Sequence, residues 1–166
     1  MATTLTQDLT LILVRELEGF QRELQRFPDD ASLWQTLPGV SNAAGNLALH
    51  VAGNLRHFIG ATLGRSGYVR DREREFGQRS GTRADVIAEL AAAITTVRGV
   101  LPTLSPEQLA APFVHAGVPD GLPTHRFLTH LAVHAGFHLG QAGYLRRCLT
   151  GDTQSAGPLD MARLVE

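Results

Sequence analysis

Apolar residues recur at steps of three and four through the first part of the chain: Leu5, Leu9, Leu13, Leu17, Phe20, Leu24 and Phe27. A stripe of that period covers one face of an α-helix. Residues 5–26 therefore read as an amphipathic helix that must bury that face against another element. The pattern returns three more times. Leu47, His50, Val51, Asn54 and Phe58 form the inward stripe of a helix over 42–63, with Ser41 as its N-cap. Ile87, Leu90, Ile94, Val97 and Leu101 give a third helix over 83–102, opened by Thr82 and Asp85 in a capping-box pattern. Phe127, Leu128, Leu131, His134, Ala135, His138, Ala142, Leu145 and Leu149 give a fourth over 125–149, capped by Thr124 and stopped by Gly151.

Four long amphipathic helices without strand signals predict an all-α four-helix bundle. The connections run ~15–20 residues, longer than the usual links between antiparallel bundle neighbours, so they can cross the bundle. Tyr68–Ser80 reads as a charged crossover with about one helical turn, and Ser105-Pro106-Glu107-Gln108 as the start of a short extra helix. Residues 112–123, with three prolines and two glycines, should be irregular. At ~150 residues per domain the chain is read as one domain over 1–166, with its core over 5–150 and a tail, 151–166, that lies across the bundle.

Composition narrows the function classes. The apolar share of 43% suffices for one real core. All 15 basic residues are Arg, so lysine Schiff-base or lysine general-base chemistry is excluded. A net charge of −1 gives no basic footprint for nucleic acid. No run of ~18 apolar residues predicts a membrane span. The N-terminal stretch carries Asp8 and no basic region before its apolar part, unlike a signal peptide. Cys148, the one cysteine, cannot form an internal disulfide, which fits a reducing, cytoplasmic setting. Its position near the end of the fourth helix predicts a packing role.

The excess is histidine, seven in all. His134 and His138 stand at i, i+4, on one face about a turn apart, a geometry that chelates one divalent ion. The intervening Ala135-Gly136-Phe137 lacks the Glu of a zinc-protease helix, so that proteolytic chemistry is not expected. His130 lies eight residues, about 12 Å, from His138 and cannot share an ion with the pair. The third ligand must come from another helix. His50, in the inward stripe of the second helix, is the best candidate, with His57 as the alternate. His57, His115 and His125 otherwise read as surface or loop residues, and His130 as a supporting or exposed one. Asn54 and Gln141, each about one turn beyond a candidate ligand, are placed to orient an imidazole or a bound water. No acidic residue falls within one turn of the three histidines, so a carboxylate base would have to come from Asp71 or Glu73 in the crossover.

His50 with Gly53-Asn54, the run His134-Ala135-Gly136-Phe137-His138-Leu139-Gly140-Gln141, and the segment Gly67 to Phe76 together resemble the DinB/YfiT-like superfamily of metalloenzymes. The likeness covers residues 5–150. It implies a bundle of up-down-down-up topology and His50, His134 and His138 as ligands of zinc or nickel. It also implies a homodimer. Relatives of this kind include metal-dependent transferases of low-molecular-weight thiols such as bacillithiol and mycothiol. The resemblance thus implies a small-molecule substrate and transfer of a thiol to an electrophile, in detoxification or stress response. Arg70 and Arg72, on a crossover folded over the bundle mouth, would hold the carboxylates of such a thiol. A metal-dependent hydrolase and a non-catalytic metal-binding dimer are the competing readings.

Overall fold

A computed structural model describes residues 4–157 and 159–165. Its helices are α1 (Leu5–Gln25), α2 (Ala44–Leu55), α3 (Arg72–Gly77), α4 (Arg83–Val100), α5 (Pro106–Ala110) and α6 (Thr124–Thr150). Short 3₁₀ turns occupy Ala31–Trp34, Leu101–Thr103 and Met161–Leu164. Among the described residues the sole β feature is an isolated antiparallel bridge between Pro112 and Pro123. No helix of the described residues is long and apolar enough to cross a membrane.

α1, α2, α4 and α6 form the bundle. Both α1 and α2 pack against α4 and α6, so α1 and α2 face each other across a diagonal. Side-chain pairs give the directions. Gln21 reaches the Ile87 carbonyl and Arg83 the Gln25 carbonyl, so α1 and α4 are antiparallel. Glu16 lies beside Gly136 and Glu23 beside Gly143, so α1 and α6 are parallel. Phe58 meets Phe127 while His50 meets His134, so α2 and α6 are antiparallel. The topology is up-down-down-up, as the resemblance implies.

The stripes bury as their spacing demands. Leu13, Leu17, Phe20 and Leu24 of α1, Leu90 and Val97 of α4, and Leu128 and Leu131 of α6 are at or near zero exposure. α2 is different: every residue from Ala44 to Leu55 is buried. The Ala31–Trp34 turn and α3 cover the side that the other helices leave open. Asn46 fastens that cover, donating to the carbonyls of Glu75 (3.0 Å) and Gln78 (2.9 Å).

Three local expectations need correction. Ser41 does not cap α2: the helix starts at Ala44, and Asn46 Oδ1 accepts the Ala43 N–H instead. Thr124 is the first helical residue of α6 rather than its cap, its hydroxyl donating to the Ala111 carbonyl. α2 does not stay α-helical to residue 63. From Arg56 to Leu63 it widens into a π-helix, closed by a Gly64 N–H bond to the Ile59 carbonyl of 2.9 Å. The tail returns across α1 as expected: Arg22 donates to the carbonyls of Ala156 and Gly157, and Arg163 pairs with Glu18.

Candidate metal centre

The centre lies midway along the antiparallel pair α2 and α6. His134 Nε2 is 3.2 Å from His50 Nε2 and 3.0 Å from His138 Nε2. The three ligand atoms all fall within 4.8 Å of one another. His50 is buried and the α6 pair half-buried. The i, i+4 pair and the residue facing it across the bundle, chosen from spacing, are brought together in one cluster.

The hydrogen bonds behind the rings decide what the cluster can hold. His50 Nδ1 faces Glu75 Oε2 at 3.0 Å. A carboxylate can only accept, so Nδ1 carries the proton and Nε2 presents a lone pair. His138 Nδ1 likewise donates to Gln141 Oε1 at 2.7 Å, leaving its Nε2 as a lone pair. His134 Nε2 sits between these two lone pairs. Even protonated, it could donate to only one of them. A single divalent cation satisfies all three nitrogens at once, since ~2 Å ligand bonds at ordinary coordination angles separate neighbouring nitrogens by ~3 Å. Burial first, then the neighbouring His138 and His50, lowers the His134 pKa to about 4. That ring is therefore neutral at pH 7, the form that ligates metal. The donor set fits an imidazole-ligated divalent metal.

The model of the DinB superfamily matches residues 5–142. The chain belongs to the DinB superfamily. The crystal structure of a conserved protein from Enterococcus faecalis shares the bundle, with a TM-score of 0.73 at 20% identity over 91% of this chain and 100% of that one. At that identity the likeness is one of fold. A search of curated proteins finds no match.

In this DinB-superfamily chain the residue behind His50 is one that spacing did not single out. Glu75, on α3, is 4% exposed. Arg70 grips its carboxylate at both oxygens, Nε to Oε1 at 2.7 Å and Nη2 to Oε2 at 2.6 Å. Burial alone would raise the Glu75 pKa, but hydrogen bonds from Arg70 and His50 outweigh it and hold the group below the usual carboxylate range. Gly53 makes room: a Cβ there would collide with Glu75 Oε1. Glu75→Gln should weaken metal binding about 10–100-fold, the range for groups that orient a ligand imidazole. Gly53→Ala keeps every charge yet pushes Glu75 off His50, so it should shift affinity the same way. Competition against a chelator measures both; unchanged affinity in the two variants would show that Glu75 does not orient His50.

The other candidates fall around this centre. Gln141 holds His138, as its spacing suggested. Asn54 is buried one turn beyond His50, and its Oδ1 has no partner among the described residues. Arg70 is committed to Glu75; its Nη2 also lies 3.1 Å from His50 Nδ1, but with the proton on Nδ1 that contact is not a hydrogen bond. Arg72 is exposed and lies over the Phe76 ring at 5.0 Å, and Phe76 in turn lies 4.7 Å from the His50 ring. Asp71 caps α3, accepting from the Arg74 N–H at 2.8 Å, and Glu73 is exposed. His130 stacks 6.1 Å from His134 without joining the cluster. His57 joins His115 instead of the three-histidine cluster.

Beside the centre runs a groove of about 380 Å³. Leu37, Val40, Leu47, Tyr144, Leu145 and Gln141 are among its walls. Leu47 lies three residues before His50 and Gln141 three after His138, so the antiparallel helices carry the groove one turn from the histidines. Cys148 is exposed into it, which corrects the expected packing role.

Proposed function

We propose that this protein is a divalent-metal-dependent enzyme, using zinc or nickel, that transfers a low-molecular-weight thiol to an electrophile. The observation that carries this reading is the three-ligand character of the centre. Among the described residues no fourth His, Cys, Asp or Glu joins His50, His134 and His138. Structural zinc sites are closed by four protein ligands, whereas catalytic ones keep three and leave a position for water or substrate. Two other groups that the sequence offered to the centre are occupied elsewhere: His57, the alternate ligand, with His115, and Asp71 at the start of α3.

A divalent metal in such a site lowers the pKa of a bound thiol, giving a nucleophile at neutral pH. The chain's own residues do the positioning. Glu75 and Gln141 fix the protons of His50 and His138 on Nδ1, so both rings aim their Nε2 lone pairs inward. Leu47, Tyr144 and Leu145 offer an apolar wall for the electrophile one turn away. Hydrolysis fits less well, because Glu75, the nearest carboxylate, is held ionised by Arg70 and His50 and is a poor proton acceptor. The homodimer belongs to the same proposal; Val133, Phe137 and Tyr144, exposed along one side of α6, are the apolar surface available to it.

The test is loss of free thiol in the presence of a small electrophile, with protein carrying one equivalent of zinc or nickel and a panel of low-molecular-weight thiols. Turnover above the buffer rate is expected from wild type, falling to the buffer rate in His138→Ala. A fully loaded protein without turnover across the panel would leave the non-catalytic metal-binding dimer as the better reading.

A further inference from the structure

His57 and His115 meet each other in the way that the clustered histidines do. Their Nε2 atoms are 2.8 Å apart, with the rings edge-on at 86°. His115 Nδ1 donates to the Ala116 carbonyl at 2.7 Å, so its Nε2 is a lone pair aimed at His57. A backbone carbonyl behind one ring nitrogen is the usual support of a metal-ligating histidine. Without metal the 2.8 Å contact is a hydrogen bond, His57 Nε2–H donating to that lone pair, while His57 Nδ1 is buried with no partner among the described residues. A cation between the rings would replace the shared proton, which passes to Nδ1 of His57, so that both Nε2 lone pairs face the ion. Phe58 lies 5.0 Å from the His57 ring and 4.9 Å from that of His115, giving the pair an apolar wall. His57 stands in the π-helical stretch after α2, and wide turns of this kind recur at functional sites.

We propose that His57 and His115 form a second divalent-cation site, separate from the three-histidine centre. Its ligand class is an ion that prefers imidazole, such as nickel, copper or zinc, with water completing the shell. Two protein donors hold it more weakly than three. The ion would pin the 112–123 loop, which carries His115, to the end of α2.

Calorimetric titration of metal-free protein with nickel chloride, repeated with zinc chloride, tests this site. Two classes are expected in wild type, each approaching one equivalent per chain, the second weaker. His115→Ala, on a loop, and His57→Gln should each lose the weaker class and keep the tighter one. His134→Ala should do the reverse. A wild type in which every class present survives both His115→Ala and His57→Gln overturns the proposal. A protein that binds metal solely through His57 and His115 would uphold this site while defeating the three-histidine centre, so the two readings fail separately.

Discussion

With His134 replaced by Ala, stoichiometric zinc or nickel at the three-histidine centre should be lost. Metal content after dialysis and chelator competition both measure this. His134 is the central donor, 3.2 Å from His50 Nε2 and 3.0 Å from His138 Nε2. Without it, one nitrogen on α2 and one on α6 remain. The loss should exceed the ~10–100-fold expected for a residue that merely orients a ligand, so His134→Ala and Glu75→Gln should separate clearly in the same titration. His130→Ala is the control. That ring stacks beside His134, one turn away, but its spacing keeps it off the cluster, and affinity should stay near wild type. The pH dependence has a definite sign. With its pKa lowered to about 4, His134 already has an unprotonated nitrogen at pH 7, and metal binding there releases almost no proton from it. If His134→Ala kept a full tight equivalent, the centre would not be the metal site, and the His57–His115 pair would be the first alternative to test.

The helices were legible because apolar spacing is a property of the chain itself. α1, α4 and α6 begin and end within two residues of the boundaries drawn from periodicity, and His50 faces the α6 pair because an inward stripe on a bundle helix must face its partner. What stayed hidden depends on contacts that a linear pattern does not carry. Glu75 sits in the run Arg70 to Glu75, where every residue is charged, and its neighbours Asp71 to Arg74 are exposed. It turns inward, with Arg70 gripping it, because α3 docks on α2 through Asn46 and because Gly53 leaves space for a carboxylate. The one local hint is Gly53 itself, a side chain missing three residues after a ligand in a helix otherwise rich in apolar groups. His57 should share a face with His50 at seven residues' separation in a regular helix. Seven residues of rise nonetheless carry it about 10 Å along the axis, onto the 112–123 loop and His115 rather than into the cluster. Arg146 falls one residue outside the expected stripe of α6, yet it is completely buried.

That arginine carries the second large expectation, one of stability. Arg146 Nε donates to Glu23 Oε1 at 2.7 Å, Nη1 to Asp152 Oδ2 at 2.8 Å, and Nη2 to the Gln154 carbonyl at 2.6 Å. It thereby ties α6 to α1 and to the returning tail. Glu23 is 1% exposed, and a Cβ at Gly143 would lie 3.0 Å from its Oε1, so the glycine gives the carboxylate its space. Arg146→Met keeps much of the volume but strands Glu23 as a buried, unpaired charge. Breaking a buried pair in this way costs about 3–5 kcal/mol, a large part of the 5–15 kcal/mol that holds a typical domain together. For a chain of this size that corresponds to a fall of roughly 6–20 °C in Tm, read by calorimetry or circular dichroism. Arg98→Ala removes an exposed partner of Glu18 and should change stability by less than about 1 kcal/mol. Adding Glu23→Gln to Arg146→Met removes the stranded charge and should recover part of the loss. If Arg146→Met and Arg98→Ala melted alike, the buried network would contribute no more than a surface ion pair. If Glu23→Gln deepened the loss instead of relieving it, the cost would lie in packing against Arg146 rather than in the unpaired carboxylate.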